Sequence, residues 1–183
     1  QHAAQVFGTK ATLFSAGGCT LCIQAMLRLC SMNNKRAVVV SRVLHRSAVN
    51  AMALLDLTPV WLMPKQSVGE GLPGRITPES VRAALEQNPD AAAVYLTSPD
   101  YFGVVSPIRE ISEVCRSFQV PLLVDNAHGA HLWYTSLPHP LTQGATMTAD
   151  SPHKTLSVLT GGAWLQISEE RFVADAKQAM ALF

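Results

Sequence analysis

Charge is scarce in this chain: Asp, Glu, Lys and Arg supply 15% of its residues and nearly cancel, leaving a formal net charge of +1. That balance removes the electrostatic reason to expect nucleic acid or an anionic membrane as a partner. Long apolar runs are also missing. The longest candidate, 48–63, is broken by Asp56 and Pro59, so nothing reaches the roughly 18 to 20 residues of a membrane helix. The chain opens Gln1-His2-Ala3, without the charged start and apolar stretch of a signal peptide. Four cysteines, Cys19, Cys22, Cys30 and Cys115, are too few and too unevenly spaced for a secreted disulfide framework. A reducing cytoplasmic setting is expected. The absent initiator Met and a helix-like run at 169–183 point to an internal piece of a longer protein, with 1–183 as one domain.

What is present is apolar: 48% of the 183 residues are hydrophobic. That is enough for one globular domain with a sizeable core. The low charge also implies that part of the surface is covered by a partner or by further chain. Apolar runs rich in β-formers alternate with helix-like segments. Strands are expected at 11–16, 36–40, 59–63, 92–97, 122–125, 145–149 and 163–167. Several are continuous, such as Ala37-Val38-Val39-Val40 and Leu122-Leu123-Val124, the pattern of strands buried on both faces. Helices are expected at 20–31, 45–57, 78–87 and 107–118. Thr77 before Pro78 and Ser106 before Pro107 read as N-caps. Segments 64–75 and 135–144 read as loops. The alternation predicts a three-layer α/β/α domain around a mostly parallel seven-stranded sheet.

Ligands in such sheets bind beyond the carboxyl ends of the strands. The residues there carry most of the reactive side chains. In Ser151-Pro152-His153-Lys154-Thr155 a lysine follows a buried strand, and Gly161-Gly162 further on permit a close turn. A lysine partly removed from water is a usable nucleophile toward carbonyls; a solvated loop lysine is the plain alternative. In Val124-Asp125-Asn126-Ala127-His128-Gly129-Ala130-His131 an acid ends an apolar strand. A carboxylate near a pyridine nitrogen keeps it protonated, and the small Ala127 leaves room for a flat ring. Alternatively Asp125 caps the next segment and His128 packs in the core. His128 and His131 are also spaced to share a metal, although no further ligand cluster accompanies them.

Ser15-Ala16-Gly17-Gly18-Cys19-Thr20 is a strand end, a glycine turn and a helix start, where free N–H groups and the helix dipole favour a phosphate. Cys19-Thr20-Leu21-Cys22 is also the thioredoxin-like Cys-x-x-Cys layout, a reading that leaves Asp125 and Lys154 unexplained. Cys30 and Cys115 read as core. His45, within Ser41-Arg42-Val43-Leu44-His45-Arg46-Ser47, is placed to stack on a ring or simply to start a helix.

Taken together these motifs resemble the major domain of the bacterial-type ornithine/lysine/arginine decarboxylases, within the aspartate-aminotransferase-like fold type I. Family members read Asp-Glu-Ala-His-Gly-Ala-His where this chain has 125–131, and Ser-x-His-Lys-Thr-Leu where it has 151–156. Thr160, Gly161, Ala163, Tyr101-Phe102-Gly103 after Ser98-Pro99, and Arg42, His45 and Ser47 also match. The resemblance covers about residues 5–168. It implies a pyridoxal 5′-phosphate enzyme that decarboxylates an amino acid, usually a basic one as in polyamine biosynthesis, and works as a homodimer or larger homo-oligomer. It implies Lys154 as the Schiff-base lysine, Asp125 as partner of the pyridinium nitrogen, His45 stacked on one ring face and Ala127 on the other. Gly18, Cys19, Thr20, Ser151 and His153 would hold the phosphate, and His128 would lie near the ring's phenolic oxygen or the substrate. No resident metal is implied. Two departures stand out. Gly17-Gly18-Cys19-Thr20 replaces Asn-Gly-Ser-Thr, giving a thiol where a hydroxyl is a better donor, and Asn126 replaces Glu. The family's C-terminal small domain is absent from this sequence. Other fold-type-I reactions (aldolase, C–S lyase, acyl transferase) share the lysine and aspartate, and a decayed, non-catalytic domain would also accommodate the departures.

Overall fold

The computed structural model describes residues 2–64 and 71–183. The apolar runs form strands β1 (Ala11–Ser15), β2 (Ala37–Ser41), β3 (Thr58–Leu62), β4 (Ala93–Thr97), β5 (Leu122–Asn126), β6 (Met147–Asp150) and β7 (Ala163–Ile167). They make one sheet in the order β1-β7-β6-β5-β4-β2-β3. β3, β2, β4, β5 and β6 run parallel, and β7 is antiparallel to both its neighbours. The expected strands agree with these within a residue or two at each end. Helices are α1 (His2–Phe7), α2 (Gly18–Ser31), α3 (Arg46–Leu54), α4 (Pro78–Gln87), α5 (Ile108–Ser117), α6 (Pro152–Thr155) and α7 (Val173–Ala181).

Alternation along the strands divides the interior into two cores. On one face Val38, Val40, Tyr95, Leu123, Met147 and Leu165 pack under α2, α3 and α7. On the other, Val39, Val94, Leu96, Leu122 and Val124 meet Val81 and Leu85 of α4 and Ile108, Ile111 and Cys115 of α5. Helices on both faces complete the three layers and bury the parallel strands. Each such aliphatic side chain contributes on the order of 1.5–3 kcal/mol.

Local signals explain most helix starts. Thr77 Oγ1 accepts from the Ser80 N–H at 3.3 Å with Pro78 in the first turn. At α5 the expectation fails: the helix begins at Ile108, one residue later than a Ser106 cap requires, with Pro107 in the cap position and no side-chain cap. α3 spans Arg46–Leu54 with His45 as its cap, and so is shorter than the 45–57 segment. α2 starts two residues early, at Gly18, whose φ of +72° suits a residue without Cβ. Helix α1 has no counterpart among the expected helices. The 135–144 loop contains a 3-10 turn, Pro140–Gln143, capped by His139. In the 64–75 loop, residues 65–70 lie outside the described residues.

Candidate active site

The carboxyl ends of β1, β4, β5 and β6 open into one cleft of about 590 Å³. All the singled-out site residues line it: Gly18, Cys19, Thr20, His45, Asp125, Ala127, His128, Ser151, His153 and Lys154. His131 does not, and among the described residues no three His, Cys, Asp or Glu side chains are grouped to hold a metal.

Asp125 is the buried anchor. Its Oδ1 accepts from the Ala127 N–H at 3.1 Å, and its Oδ2 from the Tyr95 hydroxyl at 3.3 Å. Burial pushes its carboxyl above the usual range, while the Ala127 N–H, the Lys154 charge, Tyr95 and His45 pull it back. Tyr95 is fully buried, and burial, helped by Asp125, raises its phenol. The Cys19 thiol turns toward the same carboxylate, its Sγ 4.0 Å from Asp125 Oδ1. Burial, then Asp125 and Cys22, push that thiol up, so it is a neutral group on the cleft floor. Cys22 is pushed up to about 12 by burial, then Asp150 and Asp125. Two protonated thiols do not make the activated pair that thioredoxin-like chemistry needs.

The other side chains are set by local bonds. His45 caps α3: its Nδ1 lies 2.8 Å from Ser47 Oγ and accepts from the Ser47 N–H at 3.2 Å, which leaves Nε2 for the cleft. His153 donates from Nδ1 to the Gly162 carbonyl at 2.7 Å, so its Nε2 donates outward only when the ring carries a second proton. The Gly18 N–H donates to the Gly161 carbonyl at 2.9 Å, which ties the start of α2 to the loop after Lys154. His128 packs edge-on to Tyr101. Its imidazole is lowered by burial first, then by Lys154 and His45, against Asp100. Lys154 sits on the short helix α6 and is exposed, so the removal from water expected of it is not supplied by this chain alone.

Sequence reasoning missed Tyr95 and Thr97, which read only as a β-rich run. It also missed Asp100 as a loop holder: its Oδ1 accepts from the Phe102 and Val104 N–H groups, both at 2.9 Å, and so presents Tyr101 at the cleft rim. The Asp100 signal was legible, since an Asp two residues before a Phe-Gly turn commonly forms such bonds.

The family model for the Orn/Lys/Arg decarboxylase major domain matches residues 1–182. The chain is 36% identical over 169 residues to an arginine decarboxylase of Halalkalibacterium halodurans, covering 91% of this chain and 34% of that protein. It is 34% identical over 181 residues to an arginine decarboxylase of Bacillus subtilis, covering 97% and 36%. The chain thus spans about a third of the length of these relatives. Among solved structures, mouse CSAD superposes with a TM-score of 0.77 at 19% identity, covering 98% of this chain and 41% of that one. The pyridoxal-5′-phosphate-dependent protein YhfS from Escherichia coli gives 0.73 at 13%, covering 98% and 45%. These likenesses establish the fold.

The family's cofactor is pyridoxal 5′-phosphate, and the donor set fits it. Ser151 Oγ and Thr97 Oγ1 line the cleft and are buried; their polar neighbours are the Cys19 thiol and the Tyr95 hydroxyl, and neither makes a well-formed hydrogen bond within the protein. Buried hydroxyls without a full hydrogen bond are uncommon, and these two keep bonding capacity for a ligand in the cleft. A primary amine, a buried carboxylate and a helix N-terminus face the same space, matching the aldehyde, pyridine nitrogen and phosphate. The matched span, the sheet topology and this convergence of Lys154 with Asp125 lead to one conclusion: the chain belongs to the Orn/Lys/Arg decarboxylase family, as its major domain.

Proposed function

We propose that the protein is a pyridoxal-phosphate-dependent amino-acid decarboxylase acting on a basic amino acid, with this chain as its cofactor-binding major domain. The observation that carries the reading is the shared cleft of Lys154 and Asp125, lined also by the Ser151 and Thr97 hydroxyls. When bound, the cofactor supplies the electron sink that lets the bond to the substrate's α-carboxylate break. The chain's own residues bind and orient. Lys154 would offer the amine that holds the cofactor's aldehyde. Asp125, kept in place by Tyr95 and the Ala127 N–H, faces the pyridine nitrogen. Cys19 and Thr20 would offer first-turn N–H groups of α2 to the phosphate, with Gly18 shaping the turn and Ser151 and His153 beside them. His45 and Ala127 line the same cleft and would flank the ring. His128, held neutral by burial and the nearby cations, is available to accept a hydrogen bond or proton from the phenolic oxygen or substrate.

Arginine is the first substrate to test, since relatives named arginine decarboxylase align over nearly the whole chain. A homodimer or larger homo-oligomer in the cytoplasm is part of the proposal. It is supported by the exposure of Phe14 (68%), Tyr101 (81%) and Leu159 (89%), the last two near the cleft mouth. The test is to incubate full-length protein with pyridoxal phosphate, reduce with borohydride, map the labelled peptide, and assay CO2 release from arginine, lysine and ornithine. A label on Lys154 with CO2 release supports the proposal. Keto acid or glycine products would transfer the chain to another fold-type-I reaction, and no label at Lys154 would leave a non-catalytic domain.

A further inference from the structure

Two peptide segments meet backbone to backbone at one end of the cleft. β1 and β7 run antiparallel, with Ser15 opposite Ala163. The chain thus leaves β1 for α2 at the same end of the sheet where the loop after Lys154 enters β7. Across this gap the Gly18 N–H donates to the Gly161 carbonyl at 2.9 Å. One residue further on, the Gly162 carbonyl accepts from His153 Nδ1 at 2.7 Å, and His153 precedes Lys154 on α6. The loop 156–162 is therefore bonded at one residue to the start of α2 and at the next to the helix that carries Lys154.

Gly161 holds this place only as glycine. Its φ of +88° lies in the left-handed region, and a Cβ there would sit 2.9 Å from the Ala16 carbonyl oxygen. That neighbour is backbone, so no side-chain rotation relieves the overlap. At Gly18, by contrast, a Cβ would meet nothing within 4 Å, so the close approach of the two segments is set at Gly161. The bond also divides the N–H groups that lead into α2. The first four of any α-helix have no acceptor within it. The Gly17 N–H is held by Ser15 Oγ at 3.0 Å and the Gly18 N–H by Gly161. Among the described residues no acceptor takes the Cys19 or Thr20 N–H, and both residues line the cleft.

We propose that Gly161 is a positioning residue for the phosphate turn. Its carbonyl, brought close because the residue has no side chain, occupies the Gly18 N–H and fixes the start of α2 against the loop that follows Lys154. The Cys19 and Thr20 N–H groups are left to read the phosphate. The inference rests on the cofactor reading above and deepens it. It assigns Gly18 to the tether and not to the ligand, and it makes affinity for the phosphate separable from affinity for the ring by one substitution outside the ring's own contacts.

Two measurements on the full-length protein test this. The first follows amide exchange by NMR in wild type, without ligand and with inorganic phosphate or pyridoxal phosphate. The Gly18 amide is expected to be protected throughout, and those of Cys19 and Thr20 only once either ligand is added. A Gly18 amide that exchanges as fast as that of Cys19 without ligand, and slows with it on addition, overturns the proposal. The second compares dissociation constants for pyridoxal phosphate and for pyridoxal, which lacks the phosphate, in wild type and Gly161→Ala. The variant is expected to bind pyridoxal phosphate about tenfold or more weakly and pyridoxal within about twofold of wild type. A glycine that only supports the fold would lower the melting temperature and weaken both alike, so an equal loss, or none, overturns the proposal. Should Gly161→Ala fail to fold, the exchange pattern of wild type decides. Wild-type protein that binds neither phosphate nor pyridoxal phosphate overturns the cofactor reading and this inference together. Wild type labelled at Lys154, with the affinity ratio unchanged in the variant, overturns this inference alone.

Discussion

The Tyr95 hydroxyl donates to Asp125 Oδ2 at 3.3 Å, from one strand to its neighbour, with neither residue exposed to water. A carboxylate meant to face a ring nitrogen thus has its far oxygen fixed by a side chain that cannot move.

Tyr95→Phe removes that donor and keeps the ring packing. The lost hydrogen bond to a charged group is worth about 1.5–3 kcal/mol. Fluorescence titration is expected to show pyridoxal phosphate binding weakened about tenfold or more, with circular dichroism unchanged. Unaltered affinity would show that Asp125 needs no such support.

Asp125→Asn tests the burial effect through pH. The native carboxyl sits above its ordinary value of 3.8, so the folded apoprotein binds its proton more tightly than the unfolded chain does. Stability from this group is full below the unfolded value and falls as pH rises through the native one. The amide carries no such dependence. Without cofactor, Asp125→Asn is therefore expected to melt higher than wild type at neutral pH, with the difference shrinking as pH falls toward 3.8. Urea melts across pH measure this, and a gap that widens on acidification would refute it.

Gly129→Ala is expected to destabilise by about 1–3 kcal/mol. A Cβ there would sit 2.1 Å from Asn126 Oδ1 and 2.8 Å from both Leu132 Cδ1 and Pro99 Cδ. The predicted fall in melting temperature is about 2–10 °C for a chain of this size. An unchanged melt would mean that the 126–132 turn relaxes freely.

Lys154→Ala separates chemistry from folding. The side chain is exposed, so stability should stay within about 0.5 kcal/mol of wild type, while borohydride labelling and CO2 release disappear. A large loss of stability would show that Lys154 has a structural task.

Four free cysteines are present, and Cys22, Cys30 and Cys115 are each pushed up to about 12 by burial. Ellman's reagent at pH 8 is expected to modify at most Cys19 in the folded protein and all four in denaturant. Rapid native modification of both Cys19 and Cys22 would revive the redox reading of that motif.

The strands, five of the helices and the reactive motifs were legible in the sequence because local rules create them. Short continuous apolar runs between turn residues favour buried strands, Thr77-Pro78 can begin a helix unaided, and Asp125 sits at the end of one such strand while Lys154 follows another. Where tertiary contacts compete, local rules fail. Ser106 does not cap α5, whose first turn starts after Pro107 instead, and α1 packs through contacts such as Phe7 against Trp133 and Trp164. The departure at Asn126 reads in sequence as decay, yet the fold sets its amide against Asp150, a strand away and 24 residues later. Tyr95 reads as one more core aromatic until Asp125 is brought beside it. The sequence determined which groups were available. Only the packing of β4, β5, β6 and β7 decided which met in the absence of water, where an unpaired donor or charge is costly and each polar group is therefore held to one partner.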